Sequence, residues 1–315
     1  ILSIRRSIIQ QLSDQPIDAF VGIDAPDFNL DVEAAAKSRN IPAIHFVSPS
    51  IWAWRAKKIQ KIRRCVDHML CLFPFEPEIY RNAGVPATFT GHPLADQIPL
   101  HPDPLRARRS LGLSESGLKI AILPGSRMSE VRHLTKIFLS AINLLNDRES
   151  GIQFMVPAAN NFARSYIESL LPHYPDLNIV IFDGCSHTVI EASDVVLLAS
   201  GTATLEAALY KKPMVISYKV PKLTAQMVKW KGGNMTYVGL PNILADKCVV
   251  PEFLQSNASP SLIAEALLGQ LNRSDIFALV DTFTDIHYSL KNNAAAVAAD
   301  TICEITEDRR VKAGA

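Results

Sequence analysis

The chain has 315 residues, 48% of them hydrophobic, and a formal net charge of +1. That length suits about two domains with sizeable cores, and the charge balance excludes a general nucleic-acid binder. No apolar run reaches the ~18–20 residues needed to span a bilayer. The first predicted element is a helix over 1–12, where Ile1, Ile4, Ile8, Ile9 and Leu12 recur at helical spacing with Arg5 and Arg6 between them. The pattern stops near Pro16. A chain that opens inside a crossover helix is expected to follow an earlier strand and turn.

Strand patterns then recur at 19–23, 43–47, 68–72, 119–123, 153–156, 178–182, 195–199 and 214–218. Helical patterns separate most of them, as over 131–145, where Leu134, Phe138, Ala141 and Leu145 share a face. This alternation predicts an α/β fold of parallel sheets with right-handed crossovers. The proline-containing stretch from Gly91 to Pro104 interrupts it and reads as an interdomain linker. A second α/β unit starts near Leu118. From Pro251 onward the strands are expected to stop and helices to dominate. In such folds ligands sit at the carboxyl ends of the strands.

Two segments share one plan, an apolar strand that meets small residues and opens a helix. The first is Ala121-Ile122-Leu123-Pro124-Gly125-Ser126-Arg127, followed by Glu130. The second is Val195 to Ala199, then Ser200-Gly201-Thr202-Ala203-Thr204-Leu205-Glu206. Amides at a helix N-terminus favour an anion such as phosphate, and glycine admits a ligand close to the backbone. Arg127 adds a fork suited to phosphate oxygens. Glu206 stands where a carboxylate could accept from two ribose hydroxyls. Gly125, Ser126, Arg127, Ser200, Gly201, Thr202 and Glu206 together read as a nucleoside diphosphate site. Neither turn is a Walker loop or a GxGxxG loop, and either alone could be structural punctuation.

Other residues stay open between two readings. Asp24, at the end of the first strand, is either a general base or a turn and cap residue beside Pro26. Trp52, Trp54 and Arg55 precede Lys57, Lys58, Lys61, Arg63 and Arg64. That run is either a solvated helix face or a surface for a phosphorylated substrate or an acidic membrane. Lys219, Lys222, Lys229 and Lys231 interleave with Leu223, Met227 and Trp230, as in an interfacial amphipathic helix or a plain surface helix. Asn242 serves a polar site or a turn. Five scattered cysteines without a CxxC pair predict reduced thiols in a cytosolic-type compartment, with Cys71 and Cys303 buried. Eight histidines without HxH or HExxH spacing predict no metal site, and no cofactor is expected.

Five segments, Gly22 to Asn29, Ser48 to Arg55, Leu123 to Arg127, Ala199 to Ala203 and Leu240 to Asn242, resemble the lipid-A-disaccharide synthase family in order and spacing, from the first residues to about Asp300. The resemblance implies an inverting glycosyltransferase with two Rossmann-like domains of the GT-B type. It implies a partial acceptor-side domain over 1–104, a UDP-sugar-binding domain over 105–290, and a C-terminal helix over 291–315 packing back on the first domain. The implied reaction joins UDP-2,3-diacylglucosamine to 2,3-diacylglucosamine 1-phosphate, forming a β-1,6 disaccharide and releasing UDP. By resemblance Asp24 is the base for the acceptor 6-hydroxyl, Arg127 holds the donor diphosphate, Ser200, Gly201, Thr202 and Glu206 belong to the nucleotide segment, and Asn242 is a polar cleft residue. Trp52, Trp54, Arg55, Lys222, Lys229 and Trp230 would contact acceptor or membrane. The resemblance implies a peripheral protein on an anionic membrane surface, the cytoplasmic face of the inner membrane, and admits a homodimer. The family begins with a strand and a Gly-rich acidic loop, then an apolar membrane-associated region. This chain shows neither, so its acceptor half is expected to be incomplete. Two other classes remain: a UDP- or phospholipid-binding fragment without catalysis, marked by UDP binding without turnover, and another sugar-nucleotide enzyme, separated by acceptor identity.

Overall fold

Apolar runs that end in Asp, Ser or Gly form the strands of two parallel sheets in a computed structural model, which describes residues 2–49, 58–219 and 236–314. The readings placed on Trp52, Trp54, Arg55, Lys222, Lys229 and Trp230 lie outside the described residues. Among the described residues, one compact unit holds those up to Gln97 and those from Tyr288 onward, and a second holds Ile98 to His287.

In the first unit the chain runs α1 (Leu2–Asp14), β1 (Phe20–Ile23), α2 (Pro26–Lys37), β2 (Ala43–Phe46), α3 (Ile59–Cys65), β3 (His68–Cys71), α4 (Glu76–Asn82), β4 (Ala87–Phe89) and α5 (Pro93–Gln97). The strands lie side by side in chain order, all parallel. The core gathers Leu30, Ile62, Met69, Cys71 and Tyr80. A second patch of this core, Ile44 and Leu70, is covered by Ala298, Ile302 and Ile305.

The second unit begins with α6 (Pro104–Ser110) and continues through β5 (Lys119–Leu123), α7 (Met128–Asn146), β6 (Gln153–Ala158), α8 (Asn161–Leu170), β7 (Ile179–Asp183), α9 (Ser186–Ala192), β8 (Val195–Ala199), α10 (Thr202–Leu209), β9 (Met214–Tyr218), α11 (Leu240–Ala245), β10 (Glu252–Leu254) and α12 (Pro260–Leu271). The chain leaves this unit within α13 (Ile276–Leu290), and α14 (Ala294–Gly314) belongs to the first unit. Strand order is β10-β9-β8-β5-β6-β7. Leu134, Phe138 and Ile142 of α7 and Ile263 and Leu267 of α12 pack on Ile120, Phe154 and Leu197 of this sheet. Because α7 repeats its apolar residues every three to four positions, one face of the helix is buried along its length.

Two expectations are corrected here, on the strands after Pro251 and on Cys303, and one unexpected strand is added. A strand, β10, follows Pro251, paired in parallel with β9. A short β4 closes the first sheet beside β3. Cys303 is exposed, whereas Cys71 is buried, because α14 turns Cys303 away from the sheet that Ile302 and Ile305 cover.

Candidate functional site

The order of strands in the second, all-parallel sheet reverses at β5. From there β6 and β7 extend one way and β8, β9 and β10 the other, which is the strand order of a dinucleotide-binding fold with its crevice at the switch point. Leu123 of β5 lies opposite Leu198 of β8. The two small-residue turns, 124–127 and 200–202, therefore leave neighbouring strands at that switch point.

The two turns differ in what already occupies them. Gly201 adopts φ 157° and ψ −160°, a region open essentially to glycine, and a Cβ added there would meet nothing within 4 Å. Gly201 and Thr202 are exposed at the start of α10. Ser200 is held from below, its amide donating to Ser217 O at 3.2 Å and its hydroxyl to Val238 O at 3.2 Å. Thr204 Oγ1 donates to Gly201 O at 2.7 Å and fixes the turn. This seat is open to a phosphate.

At α7 the seat is partly filled from within. Gly125 has φ 115°, and a Cβ there would fall 2.6 Å from Glu130 Oε2. The Glu130 carboxylate folds back over the glycine, accepting from Arg127 N at 3.4 Å and from Arg127 Nη1 at 3.1 Å. Here the glycine makes room for the protein's own carboxylate, so the expectation of free amides at both turns holds better at α10. Arg127 itself reaches outward, its side chain 79% exposed, and Ser126 is exposed beside it. At the end of β9, burial and the Glu130 charge raise the Tyr218 hydroxyl above its usual range, with Arg127 opposing them.

Glu206 lies on α10, half-buried, and burial raises its carboxyl above the usual range against a lowering by His187. His187 Nε2 stands 3.7 Å from Glu206 Oε2, and Nδ1 stands 3.4 Å from the Tyr210 hydroxyl. Burial pushes Tyr210 up to about 12. Sequence reasoning missed His187 because α9 reaches α10 only through the fold. Glu130 was more visible, since a glutamate three residues after a helix's first flanking residue has capping-box spacing.

Asn242 is fully buried. Its Oδ1 accepts from Val249 N at 2.8 Å and Val250 N at 3.0 Å, and its Nδ2 donates to Val250 O and Glu252 Oε1 at 2.8 and 2.7 Å. The side chain clamps the loop before β10, so a ligand contact from it would require one of these bonds to open.

In the first unit, Asp24 sits at the carboxyl end of β1 and is exposed. Asp24 and Ala25 take φ 50° and 42°, and such left-handed backbone stores about 1–3 kcal/mol per residue away from glycine. Asn29 holds the turn by donating to Ile23 O at 3.1 Å and Asp24 O at 2.7 Å. The exposed carboxylate of Asp24, held in left-handed backbone at a strand end, makes it a candidate for function. Within the described part of the basic run, Lys58 pairs with Asp27 and Lys61 with Asp31, at 2.5 and 2.7 Å, and Arg63 and Arg64 are exposed. No group of three or more His, Cys, Asp or Glu able to hold a metal occurs among the described residues.

Two parallel-sheet units, the second with its turns at a switch point, define an α/β glycosyltransferase fold of the GT-B type. Solved structures of this fold align over nearly the whole chain. A UDP-GlcNAc 2-epimerase from Neisseria meningitidis bound to UDP-GlcNAc gives a TM-score of 0.65 at 14% identity over 96% of this chain and 80% of its own. MurG from Acinetobacter baumannii gives 0.61 at 15% identity over 95% and 77%. The lipid-A-disaccharide synthetase family matches residues 1–302. The lipid-A-disaccharide synthase of Burkholderia pseudomallei is 51% identical over 311 residues, 98% of this chain and 80% of the relative. That of Cupriavidus pinatubonensis is 53% identical over 310 residues, 98% and 77%. The chain belongs to the lipid-A-disaccharide synthetase family, as a hexosyltransferase of the condensation step in lipid A biosynthesis.

Proposed function

We propose that the donor's UDP sits across the carboxyl ends of β5 and β8. Gly125, Ser126, Ser200, Gly201 and Thr202 line the seat, Arg127 meets the diphosphate and Glu206 meets the ribose hydroxyls. The observation that carries this reading is the placement of both small-residue turns on adjacent strands at the switch point of the second sheet. Asp24 is the base. It takes the proton of the acceptor 6-hydroxyl as that oxygen bonds to the sugar's anomeric carbon and the bond from that carbon to the diphosphate breaks with inversion. Negative charge grows on the departing UDP. Helix N-terminal amides and Arg127 stabilise that charge, a contribution of several kcal/mol in sum, and removal of the proton contributes roughly 10²–10⁴-fold. Asn242 supports the site by clamping the loop before β10. Trp52, Trp54, Arg55, Lys222, Lys229 and Trp230 meet acyl chains or anionic lipid on the cytoplasmic face of the inner membrane.

Asp24→Asn in the full-length enzyme tests the assignment of the base. Turnover is expected to fall by about 10²-fold or more with UDP affinity unchanged. Loss of UDP binding in a folded variant would move Asp24 to the donor site.

A further inference from the structure

Glu33 of α2 and His45 of β2 are both fully buried, with Glu33 Oε1 2.6 Å from His45 Nδ1. Gly22 of β1 stands opposite His45 in the strand register. A Cβ at Gly22 would come within 2.0 Å of Glu33 Oε1, so the carboxylate takes the place of a side chain on β1. Three elements meet on this pair. Its other polar atoms, Glu33 Oε2 and His45 Nε2, have no hydrogen-bond partner among the described residues.

Stability does not account for the arrangement. A buried pair of this kind can often be replaced by apolar residues with no loss, and each buried polar atom without a partner costs about 1–3 kcal/mol. Its location is more informative. Two residues beyond Gly22 comes Asp24, at φ 50°, and two beyond His45 comes Val47, at φ 77°. A β-branched residue in that region is a genuine outlier. Asp24 N donates to Phe46 O at 2.9 Å and Val47 N to Leu70 O at 3.2 Å, so the strained ends are tied strand to strand. Strained backbone persists where its surroundings over-determine it. The pair joins α2, β1 and β2 one step before the last paired residues, Ile23 and Phe46, from which both strained turns leave.

We infer that Glu33 and His45 are positioning residues for Asp24. They fix the carboxyl ends of β1 and β2 so that the Asp24 carboxylate is held at the acceptor hydroxyl. The inference rests on Asp24 as the base. Neither residue touches substrate.

Glu33→Gln keeps the side chain's size but replaces the short charge-assisted bond from His45 Nδ1 with a weaker neutral one, loosening the clamp. In the full-length enzyme it is expected to lower kcat by about 10–10²-fold, the range of a small misplacement of a reacting group. UDP affinity should not move, because the proposed UDP seat lies in the other unit. In the Asp24→Asn background Glu33→Gln should cause no further loss, since groups acting as one are not additive. A wild-type kcat in Glu33→Gln, or losses that multiply in the double variant, would overturn the inference. If Asp24→Asn leaves turnover intact, the base assignment is what fails. The double variant Glu33→Met/His45→Leu guards against a folding defect. It should fold at least as stably as the wild type and be slowed to the same degree. A wild-type rate there overturns the proposal. So does failure of both variants to fold, which would make the pair a requirement of the fold.

Discussion

Arg127 leans on one ion pair with Glu130, its own side chain largely in solvent. Such exposed pairs contribute at most about 1 kcal/mol, so an incoming diphosphate can take over the guanidinium at small cost. UDP should therefore bind better than UMP. Arg127→Ala should lose about 2 kcal/mol of UDP affinity, roughly 30-fold, the range of a hydrogen bond to a charged group, while UMP changes little. Glu206→Ala should weaken both nucleotides, because both carry the ribose. Calorimetry on the two nucleotides reads all of this, and equal affinities for UMP and UDP would remove Arg127 and the helix N-termini from the diphosphate. At this scale the glycines, Arg127 and Asp24 were visible in the chain because each marks the end of an apolar run. The spacing of Glu130 was visible too, but the contact of His187 with Glu206 and the burial of His45 against Glu33 were not, since each joins residues from different elements.

Between α13 and α14 the chain makes a sharp turn on α5. Asp96 accepts from Asn293 N at 2.9 Å and Ala294 N at 2.6 Å, capping α14 from another element. Asp96→Ala should lower unfolding free energy by about 1 kcal/mol, the usual loss on removing a cap, seen as a lower urea midpoint with an unchanged slope. At the amino end of the second sheet, Lys212 donates to Ser193 O at 2.7 Å, and burial lowers its ammonium from 10.5 to about 8. Between those pH values the unfolded chain holds the proton that the folded chain has released, so Lys212 makes stability rise with pH. Urea midpoints at pH 8 and pH 10 should show a smaller rise in Lys212→Met than in the wild type; equal rises would remove Lys212 from the linkage. Strands β5, β8 and β9 coincide with their apolar runs, which are long and β-branched enough to specify themselves. Strands β4 and β10, three residues each, owe their form to pairing with β3 and β9. That is a tertiary effect no local pattern carries.

At the scale of the whole molecule the open question is how an enzyme of acylated sugars meets its substrates. Among the described residues no helix is long and apolar enough to cross a membrane. The sequence offers instead cationic and aromatic residues in common stretches: Trp52, Trp54 and Arg55 in one, Lys219, Lys222, Lys229, Trp230 and Lys231 in another. Beside the first stretch, Lys58 and Lys61 pair with Asp27 and Asp31, while Arg63 and Arg64 stand exposed. A surface of lysines attracts anionic lipid by about 1 kcal/mol per residue near the bilayer, and salt screens that attraction within about 10 Å at roughly 0.1 M. Sedimentation with vesicles should show binding to anionic lipid that falls as salt rises, and weaker binding to neutral vesicles. Replacing Lys219, Lys222, Lys229 and Lys231 together with Gln should reduce the anionic binding by an order of magnitude or more and leave UDP affinity unchanged, separating membrane contact from the nucleotide seat. Binding in the full-length protein that ignores lipid charge, or none at low salt, would remove the electrostatic anchor and leave the acyl chains alone to hold the enzyme to its substrates.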